Sequence, residues 1–163
     1  MRRRKSPLAA LTQGLAAGVV GTAVFTAYQE LTRPSGCDQQ PRSWDEAPDP
    51  AQVGQRVVEG VFHRQVPLRR AGLLTNVVHW LYGSSWGAVY GVIEESVRKP
   101  LVSGVALTSV VMGTDYTLLP AMKIYDPPWR YPAGVLGKDF ANHLVHGLAV
   151  AGAYRALEPA FRP

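Results

Sequence analysis

One cysteine, Cys37, stands among 163 residues, so the chain has no intramolecular disulfide and no thiolate pair for a metal cluster. Charge is also scarce, at 18% of residues, and long stretches carry none. No nucleophile elbow, phosphate-cradling glycine loop, HExxH or paired catalytic carboxylate motif occurs. The expectation is a non-enzymatic protein with no resident cofactor. Ser84-Ser85, set between glycines, reads as helix packing rather than as a nucleophile. Zinc-finger spacing and a basic helix stripe are missing too, which removes nucleic acid as the partner implied by a net charge of +5. The basic residues sit at the ends of apolar runs, where they meet lipid headgroups.

What the chain does contain is concealed by a mean hydropathy of -0.03. Residues 7–28 carry no charge, and in 71–93 only His79 titrates in the acid-to-neutral range. Residues 101–122 hold one acid, Asp115, and 140–154 hold only His143 and His146. About 20 apolar residues cross a bilayer as a helix. These runs predict an all-α, integral membrane four-helix bundle in one domain, with helices over about 7–30, 71–95, 101–121 and 138–158. A soluble bundle fits less well, because four such runs leave little amphipathic surface. The basic start Arg2-Arg3-Arg4-Lys5 precedes an apolar run longer than the roughly 7–15 residues of a signal h-region, without an Ala-x-Ala site. An uncleaved first helix is expected. The remaining basic residues divide almost evenly between the two faces, and the dense tail places both termini in the cytoplasm.

The polar insert 33–70 opens on the breaker Pro34-Ser35-Gly36. Asp49-Pro50 reads as an N-cap with proline at the first helical position. Val53, Val57, Val61 and Phe62 then mark one face of an amphipathic helix over about 50–65, lying on the membrane surface or lidding the bundle. A proline-rich loop is expected over 122–137.

An internal repeat is visible. A shift of 64 aligns His79 with His143, Gly83 with Gly147, Tyr90 with Tyr154 and Glu94 with Glu158. A shift of 92 aligns Val19, Gly21 and Thr22 with Val111, Gly113 and Thr114. Two duplicated helical hairpins would produce both matches. Small residues recur at four-residue spacing: Gly14 and Gly18; Gly83, Gly87 and Gly91; Ser109, Gly113 and Thr117. In lipid, close backbone approach holds helices together. Such ridges serve internal packing, and one is a candidate interface for a homodimer or another membrane protein.

Asp139, His143 and His146, spaced by 4 and 3, share one face of the last helix. His79 and Asp115 fall at a similar depth from the same end, so the five side chains are expected to form a polar pocket in one half of the bundle. Three readings compete: structural pairing between helices, a proton-responsive or transport vestibule, and a metal or haem site on His79, His143 and His146. The aromatic, proline-fixed loop with Asp126, Trp129, Arg130 and Tyr131 is a candidate gate over this end, or an anchor at the interface.

The run His79-Trp80-Leu81-Tyr82-Gly83-x3-Gly87-x2-Tyr90-Gly91, with Asp139-x3-His143-x2-His146-Gly147, resembles small uncharacterised bacterial inner-membrane proteins of the YagU-like kind. The resemblance covers the helices more than the insert. It implies a four-helix, multi-pass inner-membrane protein with a loose link to acid tolerance, and it carries over no catalytic residue. The leading expectation is a membrane interaction or accessory protein. A small proton-linked transporter or pH-responsive protein, and a metal- or haem-binding one, stand as alternatives.

Overall fold

The computed structural model describes residues 5–33 and 40–161. Cys37, residues 2–4 of the basic tail and the Pro34-Ser35-Gly36 breaker lie outside the described residues. Within them the chain is all-helical, without a strand: α1 Pro7–Thr32, α2 Asp49–Phe62, α3 Ala71–Val97, α4 Pro100–Ala121 and α5 Ala133–Ala156. Short 3-10 turns at Trp44–Glu46, Leu68–Arg70, Pro128–Arg130 and Glu158–Phe161 complete the regular structure.

The helix starts follow local chemistry. Ser6 caps α1, its Oγ accepting the Ala9 N–H at 3.2 Å, with Pro7 at the first helical position. α3 ends at Arg98, whose left-handed backbone (φ 55°) turns the chain into Lys99, and Pro100 opens α4. Two expected starts are displaced. Asp49 is not the cap of α2 but its first helical residue, behind Pro48. α5 begins at Ala133 behind Pro132, so the loop stops at 132 rather than 137. In both cases the proline ring favours extended backbone before it and permits helix immediately after.

α1 and α4 are long and apolar enough to cross a membrane. The expectation of further spans meets a difference at α3 and α5. They are 27 and 24 residues long. Asn76, His79, Glu94 and Glu95 in α3, and Lys138, Asp139, Asn142, His143 and His146 in α5, dilute their apolar character.

The four long helices pack side by side in the circuit α1–α3–α4–α5, closing from α5 back to α1, while α2 lies on α3. Glycine makes the α1–α3 contact: a side chain on Gly87 would overlap the Gly14 carbonyl and the Gly18 backbone, and one on Gly91 would overlap the Ala10 carbonyl. Gly83 lies against the Thr22 side chain. The expected ridge on α4 is not used this way. Gly113 has nothing within contact distance, and Ser109 and Thr117 are exposed. α4 packs instead through Ser103, Gly104, Leu107, Thr108 and Val111, all buried.

This corrects the repeat register. Thr22 donates to the Gly18 carbonyl at 2.8 Å and faces Gly83. Thr108 donates to the Gly104 carbonyl at 3.0 Å and faces Gly147. The equivalent positions of α1 and α4 are therefore Gly18/Gly104 and Thr22/Thr108, not Gly21/Gly113 and Thr22/Thr114. Buried Gly21 and exposed Gly113 had matched by letter only. Between the hairpins lies an apolar core of Ala17, Tyr90, Leu107, Val111, Val150, Ala151 and Tyr154.

α2 turns Ala51, Gln52 and Gly54 inward, with Gly54 close to Leu74 and Val78 of α3. Val57, Val61 and Phe62 stay exposed. The helix thus does both things its pattern allows: a small-residue face packs on protein, and an apolar edge faces outward.

Candidate functional site

The ends of α1, α3, α4 and α5 nearest α2 line an open-sided cavity of about 320 Å³. All five expected pocket residues, His79, Asp115, Asp139, His143 and His146, line it. They do so because α5 presents positions 139, 143 and 146 on one face, while α3 and α4 bring His79 and Asp115 to the same depth.

Four side chains form a relay. The Tyr82 hydroxyl donates to Asp115 Oδ1 at 2.5 Å. Asp115 Oδ2 lies 3.1 Å from His143 Nε2. His143 Nδ1 lies 2.9 Å from the Asp139 carbonyl oxygen and 3.4 Å from Asp139 Oδ1. A backbone carbonyl only accepts, so Nδ1 carries a hydrogen. The Nε2–Oδ2 contact then needs a proton of its own, on the imidazole or on the carboxylate.

The other two histidines are placed differently. Thr26 donates to the Thr22 carbonyl at 2.8 Å, which leaves its oxygen to accept from His79 Nε2 at 3.0 Å. The His79 ring stacks on Phe25, with centroids 6.1 Å apart. His146 is only 6% exposed, and its Nε2 has no hydrogen-bond partner among the described residues.

The metal reading of His79, His143 and His146 is corrected by this geometry. His143 spends both nitrogens on Asp115 and Asp139, and His79 spends Nε2 on Thr26. Among the described residues no group of three His, Cys, Asp or Glu side chains is arranged to hold a metal ion.

The expected gate is also revised. Asp126 and Arg130 pair with each other at 3.0 Å on the surface, and Trp129 is 81% exposed. Tyr131 accepts the Asp126 N–H at 3.1 Å and packs on Tyr116 and Tyr125. None of these four lines the cavity. Tyr125 does, and its hydroxyl donates to Asp49 Oδ2 at 2.7 Å, tying the loop to the first turn of α2. Burial pushes the Asp49 carboxyl up, the Tyr125 hydrogen bond offsets part of this, and the negative charges of Asp139 and Asp115 push further upward. Burial likewise raises the Tyr125 hydroxyl, reinforced by its bond to Asp49.

Sequence reasoning missed Tyr82, Asp49 and Tyr125. Tyr82 was findable, three positions after His79 and hence on the same helix face. Asp49 was treated only as a cap, and nothing local links it to Tyr125.

Polar groups are not confined to this end. Gln13, Glu94, Ser103 and Glu158 are all buried near the opposite ends of the helices. Ser103 Oγ donates to Glu94 Oε2 at 2.6 Å, and Gln13 Nε2 to the Tyr154 carbonyl at 2.6 Å. Lys5 donates to Gln13 Oε1, and its Nζ sits 4.8 Å from the centre of the Tyr154 ring. The expectation of one polar half gives way to a polar cluster at each end, with the Tyr90–Tyr154 core between them.

No family model, curated protein or solved structure matches the chain. The functional reading therefore starts from the cavity.

Proposed function

We propose that this chain is a multi-pass protein of a bacterial inner membrane, with four long helices across the bilayer and both termini in the cytoplasm. In this reading the α2-end cavity makes it a non-enzymatic, proton-responsive or proton-linked membrane protein. Lipid as the surrounding solvent accounts for the outer surface, where Leu8, Leu15, Leu73, Leu81, Leu101 and Leu118 are all exposed. It also accounts for the inner one, since ionisable groups inside a span face one another or a cavity.

The observation that carries the reading is the His143 imidazole held between Asp115 and Asp139 on a cavity wall. One proton joins Nε2 to Oδ2. When it leaves, an imidazole lone pair faces a carboxylate, and Asp115, Tyr82 and His143 must rearrange. A single proton thereby selects between two arrangements of α3, α4 and α5, which is what a proton switch requires. The other titratable groups facing this one are Asp49 from α2, His79 and Tyr82 from α3, Tyr116 from α4, Tyr125 from the loop, and Asp139 and His146 from α5. α1 contributes the uncharged Thr22, Phe25 and Gln29 to the wall.

The test is purified protein in proteoliposomes, followed by an interior pH dye and by Trp fluorescence against pH. The native chain should show a pH-dependent signal that His143→Gln and Asp115→Asn abolish or displace. A pH response and flux unchanged in both variants would end the reading.

A second reading, an accessory protein acting through self-association or a membrane partner, is favoured by the outward Ser109-Gly113-Thr117 face of α4. Crosslinking through Gly113→Cys that traps no oligomer or partner would count against it.

A further inference from the structure

We propose that the cavity is a binding site for a small organic ammonium ion, a proposal that rests on the proton-linked reading of the same cavity and names its ligand class. Three carboxylates line it, Asp49, Asp115 and Asp139, and among the described residues no lysine or arginine does. Asp115, Asp139 and a protonated His143 together carry one net negative charge, and Asp49 can add another. A cavity whose wall is mostly apolar favours neutrality, so it calls for at least one further positive charge, either a proton or a bound cation. That choice between proton and cation is the chemical basis of proton linkage.

A second, independent feature points to a donor-rich ligand. The imidazole of His146, itself on the wall, leaves Nε2 buried without a partner. A buried polar atom left unpaired costs about 1–3 kcal/mol. His146 hydrogen-bonds the Gly83 backbone through its other ring nitrogen, so Nε2 is left as an acceptor and an ammonium brings the N–H donor it lacks. Among the described residues the other unpartnered atom on the wall, Trp86 Nε1, is itself a donor and stays unmet.

The rest of the wall decides between an inorganic and an organic cation. Phe25 and Trp86 present ring surface to the cavity, and Val53, Val78 and Leu118 add apolar surface. Aromatic faces attract cations, and apolar walls accept the carbon frame of an amine rather than a hydration shell. The volume, about 320 Å³, lies at the small end of the roughly 300–1,000 Å³ typical of ligand pockets and far above the ~30 Å³ share of one water. Among the described residues no three His, Cys, Asp or Glu side chains are arranged to hold a metal ion.

The experiment uses the full chain in lipid nanodiscs and isothermal titration with three probes of one shape: 2-phenylethylamine, neutral 2-phenylethanol and anionic phenylacetate. Saturable binding of the amine, about tenfold or more tighter than the alcohol, with none for the acid, is expected. Asp115→Asn and Asp139→Asn should each weaken the amine by about tenfold or more and leave the alcohol unchanged, while Asp45→Asn, on the exposed 3-10 turn, should leave both unchanged. Circular dichroism confirms that each variant is folded, and either isosteric variant suffices if the other is not. Equal binding of amine and alcohol, no binding of the amine, or amine binding indifferent to both substitutions overturns the proposal. Failure here with an intact His143-dependent pH response removes the ligand class and spares the switch. Amine binding without any pH response does the reverse.

Discussion

Tyr90 and Tyr154 meet ring edge against ring face across the diagonal between α3 and α5, with centroids 5.3 Å apart and planes at 65°. They occupy equivalent positions of the two hairpins. They are the pair that the 64-residue shift aligns, and they meet within the apolar core. Tyr90 is fully buried and Tyr154 nearly so. Truncating a buried aromatic costs about 3–5 kcal/mol, so Tyr90→Ala and Tyr154→Ala should each be severely destabilising. Tyr90→Phe should cost less, because it keeps the buried ring and removes only the hydroxyl, which reaches the Pro100 carbonyl at 3.4 Å and the Glu94 side chain. Unfolding midpoints in detergent micelles check the ranking, and a tolerant Tyr90→Ala would remove this pair from the core.

The glycines of α3 and α4 should respond oppositely to bulk. Gly87→Leu places a side chain into the backbone of Gly14 and Gly18, which forces α1 away from α3. Gly113→Leu meets open space. The first should abolish the folded state or lower the unfolding midpoint steeply. The second should stay within about 0.5 kcal/mol, as for an exposed substitution. The same midpoints, measured side by side, decide it; similar losses from both would mean that α4 packs through its other face.

Much of this organisation was legible in the chain. The apolar runs located all four long helices, and helical spacing alone put Asp139, His143 and His146 on one face with His79 and Asp115 at matching depth. What stayed hidden depended on rotation about a helix axis. The spacing of Ser109, Gly113 and Thr117 is that of a packing ridge, yet Ser103, Gly104 and Thr108 offer an equivalent one, and only tertiary contact chooses between them. The same ambiguity put the repeat in the wrong register. Glu94 entered the repeat but not the polar set, because it stands just past the run 71–93 and reads as a helix-end charge, whereas the fold buries it against Ser103. The Asp49–Tyr125 bond joins residues 76 positions apart, with no local pattern to announce it.

Glu94 tests whether the second polar cluster is structural. Its carboxylate accepts from Ser103 at 2.6 Å while only 3% of the residue is exposed. Glu94→Gln keeps an acceptor at that place and should be tolerated. Glu94→Ala leaves the Ser103 hydroxyl without its acceptor and opens a void, at a cost of about 1–3 kcal/mol for the unpaired group alone. Ser103→Ala in the Glu94→Ala background should restore part of that loss, since it removes the hydroxyl that Glu94→Ala leaves without an acceptor. A double-mutant cycle on unfolding free energies, with no recovery in the double variant, would show that the pair is not coupled.

Asp49 supplies a pH dependence outside the long helices. Burial and the nearby charges of Asp139 and Asp115 raise its carboxyl above the ordinary value of 3.8. A group whose folded-state value is raised favours the fold while protonated. That contribution is fully present below 3.8 and is lost as pH rises through the higher folded-state value. Ionisation of Asp49 therefore works against the packing of α2 over the cavity. Asp49→Asn removes the charge and keeps an oxygen to accept from Tyr125. The variant should be more stable than the native chain at pH 7, and the two should converge as pH falls toward 4. Tyr125→Phe should lower stability at both pH values, because it deletes the donor that partly offsets the burial of Asp49. Thermal unfolding of the three proteins across this pH range gives the comparison. A native chain that gained stability with rising pH relative to Asp49→Asn would reverse the sign and show that the Tyr125 hydrogen bond, rather than burial, governs this carboxyl.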